Sequence, residues 1–67
     1  MDVTEQALQH THDVIEQIVG RAVLALHRQG QYIQTANLLA YLAGEQEREP
    51  DPARRFFIGV AIGLLAV

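Results

Sequence analysis

The last twelve residues, Phe56 to Val67, read FFIGVAIGLLAV and contain no polar side chain. As a helix rising about 1.5 Å per residue the segment spans only about 18 Å, against a bilayer core of about 30 Å, so no membrane span is expected. Counting back to Pro52 brings in Arg54 and Arg55 and still falls short. A helix that is apolar all round must nevertheless be covered on every side. Chains of 67 residues bury too little surface to do this easily, and commonly recruit a disulfide, a metal or a second subunit. Cysteine is absent, which excludes disulfides and thiolate metal sites. The missing cover is therefore expected from a second copy or another protein. Gly59 and Gly63 add a flat strip where a neighbouring helix can approach.

The rest of the chain is punctuated as two further helices. No stretch alternates apolar and polar residues for long, so strands are not expected. Asp2 and Glu5 form a capping-box pattern, followed by Leu8, Val14, Ile15, Ile18, Val19, Ala22, Val23 and Leu26 at helical spacing. Gly20 inside this stripe suggests a close helix crossing, since an interior glycine otherwise costs about 1 kcal/mol. His27 and Arg28 suit the negative end of the helix dipole, and Gly30 can supply a left-handed cap. Thr35 is expected to cap a shorter second helix with Leu38, Leu39 and Leu42 on one face. Gly44 should end or weaken it, leaving most of the acidic run from Glu45 to Asp51 frayed or looped. Asp51 as N-cap and Pro52 at the first position then start the third helix.

Chemistry is sparse. His10 and His12 point to different faces of a helix, and His12 with Glu16 makes only a pair, short of a metal site. Serine and cysteine are absent, and the threonines sit at caps and on helix surface. The five glycines are dispersed, with no phosphate loop. Arg54, Arg55 and Arg28 suggest surface cations before a carboxylate clamp. No catalytic residue, metal ligand or cofactor is assigned, and a non-enzymatic protein is expected. The net charge of −3 argues against gripping nucleic acid directly, and the second helix lacks the basic and amide residues of a reading helix. The N-terminus has neither the basic nor the apolar region of a signal peptide, which points to the cytoplasm. The segment from Glu45 to Asp51 carries the same net charge as the whole chain, −3. Such a patch is either a solvated loop or, through Glu45, Glu47 and Glu49, a docking edge for a partner with a basic surface.

The order of features in VIEQIVGRAVLALHRQGQYIQTANLLAYLAGEQE resembles the small biofilm-development regulators of the YmgB/AriR type. The matching positions are Glu16, Ile18-Val19-Gly20, Ala22-Val23, Leu26, Gly30, Asn37 and Leu38-Leu39. The third helix matches only as an apolar segment, and the arm before the first stripe is shorter than in that family. The resemblance implies an all-helical homodimer acting as a connector in two-component signalling, biofilm formation and acid resistance as part of the bacterial stress response. IVGRAVLALHRQGQ is also similar to the small protein called fumarase D, which implies a hydratase. Hydrating fumarate needs a placed acid, a base and carboxylate clamps, for which the chain offers only dispersed histidines, glutamates and arginines. A DNA-binding regulator is the third alternative.

The expectation is thus one all-α domain over 1–67: a long helix, a short helix and an apolar C-terminal helix, paired as an intertwined homodimer. Core and dimer interface are assigned to Ile15, Ile18, Val19, Ala22, Val23 and Leu26 on the first helix. On the third they are assigned to Phe56, Phe57, Val60, Ile62 and Leu64.

Overall fold

A computed structural model describes residues 3–67 as three helices, α1 (Val3–Arg28), α2 (Thr35–Arg48) and α3 (Pro52–Ala66). Among the described residues there is no strand. The all-α architecture of one long and two shorter helices follows the hydrophobic periodicity. Asp2, expected as the first cap, lies outside the described residues.

α1 closes as its sequence implies. Gly30 adopts φ +71°, its amide donates to the His27 carbonyl at 3.1 Å, and the Gln31 amide donates to the Leu26 carbonyl at 3.0 Å. These two bonds occupy carbonyls that the helix end leaves free, and the left-handed residue between them is best supplied by a side chain without Cβ. The start of α2 departs from expectation. Its N-cap is Gln34, which makes no side-chain cap bond, and Thr35 is already helical. The local polar contact comes instead from Asn37, whose amide donates to the Tyr32 carbonyl at 2.8 Å and ties the link to the first turn. Asp51 caps α3 as its position before Pro52 suggests, its carboxylate accepting from the Ala53 amide at 3.3 Å.

The larger correction concerns Gly44 and the acidic run. α2 continues through both to Arg48, leaving only Glu49 to Asp51 as the turn. The Arg48 side chain folds back over the space a Gly44 side chain would fill and donates to the Glu45 carboxylate at 2.8 Å. Arg48 also places a cation in the last turn, where the helix dipole favours it. The stop comes from Pro50, which biases Glu49 into the extended conformation observed there.

One core joins the helices: Ile18, Ala22 and Leu26 of α1, Leu38 and Leu42 of α2, Ile58 and Ala61 of α3. Ala25 is buried as well. Val14, Ile15, Val19, Val23, Phe57 and Ile62 are half-buried against this cluster. The small residues buried between the helices are therefore alanines. Gly20 is exposed, and a Cβ built on it would meet nothing within 4 Å, so it does not mark a helix crossing in the protomer.

Length explains the shape. α1 has 26 residues and α2 and α3 have 14 and 15, about 39, 21 and 22 Å. Only the part of α1 from Val14 onward has partners of matching length. The turns before it project from the bundle, giving extents of 43 × 22 × 22 Å. Leu8, expected on the buried stripe, is consequently exposed.

Candidate functional site

The turn between α2 and α3 holds a group of polar side-chain contacts. The half-buried Gln46 amide reaches across to the Arg55 carbonyl at 3.2 Å. It lies 2.9 Å from where a Cβ on Gly59 would stand, so the bare glycine makes room for this tether. Arg54 lies 3.9 Å from Glu49. Beside the tether, Gln46, Glu47, Pro52, Arg55 and Phe56 line an open depression of about 520 Å³.

This geometry breaks up the proposed acidic edge. Glu45 and Glu49, one turn apart, are half-buried and paired with Arg48 and Arg54. Glu47 is exposed, roughly opposite the helix face of Leu38 and Leu42, and forms no ion pair within 4.0 Å among the described residues. The hydrogen bond from Arg48 to Glu45, with the charge of that carboxylate behind it, holds the Arg48 guanidinium above its ordinary pKa. Solvent reaches both pairs and screens them, the Arg48–Glu45 pair more than the Arg54–Glu49 pair. The depression therefore offers one exposed carboxylate and one guanidinium, Glu47 and Arg55, beside the ring of Phe56.

Other polar groups do not converge. Among the described residues no three histidine, aspartate or glutamate side chains are placed to hold a metal. His10, His12 and Glu16 are exposed on α1, and His27 lies in its last turn. Arg28 lies at the opposite end of the bundle from Arg54 and Arg55, because α2 runs back along α1 before α3 begins. No helix among the described residues is long and apolar enough to cross a membrane.

The more extensive feature is apolar. Phe56 is 66% and Leu64 61% exposed, Val67 is fully exposed, and Val60 is half-buried outside the core cluster. Gly63 between them would carry a Cβ into open space. Of the residues assigned to core or interface, Ile18, Ala22 and Leu26 are buried within the protomer, whereas Phe56 and Leu64 face outward. Ile58, Ala61, Leu38 and Leu42 complete the core. Nothing in the sequence marks Ile58 and Ala61 as the buried side, because an all-round apolar helix gives no signal of which side faces in. The accessible surface is 4,894 Å². A compact monomer of 7.5 kDa exposes about 4,250 Å², so the excess is about 650 Å², shared between this face and the projecting turns of α1.

No protein-family model, curated protein or solved structure matches this chain.

Proposed function

We propose that this chain is a small non-enzymatic regulatory protein that acts by protein–protein contact, as a homodimer that engages a partner protein with a basic surface. The observation that carries the reading is the uncovered apolar face of α3, from Phe56 to Val67, continuing into the depression rimmed by Glu47 and Arg55. Exposed apolar area rimmed by polar groups is the make-up of a protein interface. The exposed carboxylate of Glu47 supplies the electrostatic steering that a basic partner would feel. The resemblance of the Glu16 to Leu39 region to biofilm-development regulators supports a place in two-component or stress signalling in the bacterial cytoplasm. A dimeric response regulator would then be the natural partner class, since a two-fold dimer presents the depression twice.

Affinity capture from bacterial lysate tests this, comparing wild type with Glu47→Lys. Glu47 is exposed and forms no ion pair within 4.0 Å among the described residues, so the substitution should leave the fold intact. A specific protein retained by wild type at low salt and lost with the variant is expected. A protein held equally by both, or none held by either, would remove the docking role of this corner.

A further inference from the structure

The uncovered face of α3 has an internal order. Phe56, Val60 and Gly63 of α3 and its C-cap Val67 follow one another at intervals of four, three and four residues, the spacing of a single line along a helix. Read from either end the spacing is the same, with its midpoint between Ala61 and Ile62. We propose that this line is a self-complementary seam on which α3 of a second copy packs antiparallel. The Val60 side chain of each copy then seats against Gly63 of the other, and Phe56 against Val67.

A two-fold contact requires a patch that complements itself when reversed. Reversing this line brings the branched side chain of Val60 level with the bare backbone of Gly63, a knob against a notch. The notch belongs to no one in the protomer, since a Cβ on Gly63 would meet nothing within 4 Å. Leu64, also outward, flanks the seam on one side. Charge selects the antiparallel sense. Pairing in parallel would place the two Arg55 side chains together, whereas antiparallel pairing sets each beside the negative end of the other helix dipole. A second copy therefore fits the seam in spacing, shape and charge.

This proposal rests on the homodimer reading, so the experiment separates the two. Sedimentation of the wild-type chain at tens of micromolar tests the dimer, and a monomer there overturns both. Register is tested by disulfides, since the chain has no cysteine of its own. Phe56 and Val67 are exposed, so Phe56→Cys and Val67→Cys leave the protomer undisturbed. The double variant should form covalent dimers on mild oxidation and neither single variant should, because a disulfide needs Cα atoms within about 7 Å. Cross-linked single variants would show a parallel seam, and a dimer with no cross-link in any variant would place the interface elsewhere. Gly63→Val should weaken the dimer about tenfold or more by filling the notch, with unchanged helicity, and adding Val60→Ala should recover much of it. Equal self-association of wild type and Gly63→Val overturns the seam. So does a monomer that binds phosphatidylglycerol vesicles through this face.

Discussion

Replacing Gly20 by alanine isolates what the protomer alone demands of α1. Gly20 lies inside the 26-residue helix, on the side away from Ile18 and Ala22, and a Cβ there meets nothing within 4 Å. No packing term opposes the substitution, so the backbone term decides its sign. Alanine is favoured over glycine in a helix interior by about 0.8–1 kcal/mol, part of it through the lower entropy of the unfolded chain. A chain of 67 residues has a total stability of only about 3–10 kcal/mol, so this is a measurable share. In urea, with a slope near 1 kcal/mol/M for so small a protein, the midpoint should rise by roughly 1 M at unchanged slope. The melting temperature should rise by about 4–8 °C. Both must be read at fixed protein concentration, because self-association adds its own stabilisation. A lowered midpoint would refute the reasoning, since the added methyl group would then be meeting atoms that the protomer does not contain. Repeating the titration at tenfold dilution would identify a second copy as their source, because the penalty would shrink as the protein dissociates.

The Leu42 side chain is 1% exposed in the core, so Leu42→Ala should cost about 2–5 kcal/mol and leave the protein largely unfolded in moderate urea. Leu24→Ala, at 57% exposure, should stay within about 0.5 kcal/mol by the same measurement. Gly59→Ala should be nearly neutral, because the helix gain of about 1 kcal/mol is offset by displacing the Gln46 amide from the Arg55 carbonyl. In a Gln46→Ala background the full gain should reappear. A double-mutant cycle with no coupling would show that the amide tether contributes nothing.

What the sequence determined by itself is where short-range rules act alone. Gly30 ends α1 because only the left-handed conformation lets the Gly30 and Gln31 amides reach the His27 and Leu26 carbonyls. Asp51 before Pro52 starts α3 for an equally local reason, a carboxylate one step ahead of a residue with φ already set. The core stripe of α1 from Val14 to Leu26 was legible too, because period and burial agree there. Tertiary structure decided the rest. α2 runs past Gly44 because Arg48 covers the glycine and pairs with Glu45, and because Gln46 is anchored on α3, contacts that no local propensity encodes. The same extension divides the acidic run, turning Glu45 and Glu49 toward arginines and Glu47 to solvent. On α3 the sequence is apolar in every direction, so it could not distinguish the side of Ile58 and Ala61 from the side of Phe56 and Leu64. Two helices can cover only part of a third, and where α1 and α2 pack determines which part remains bare.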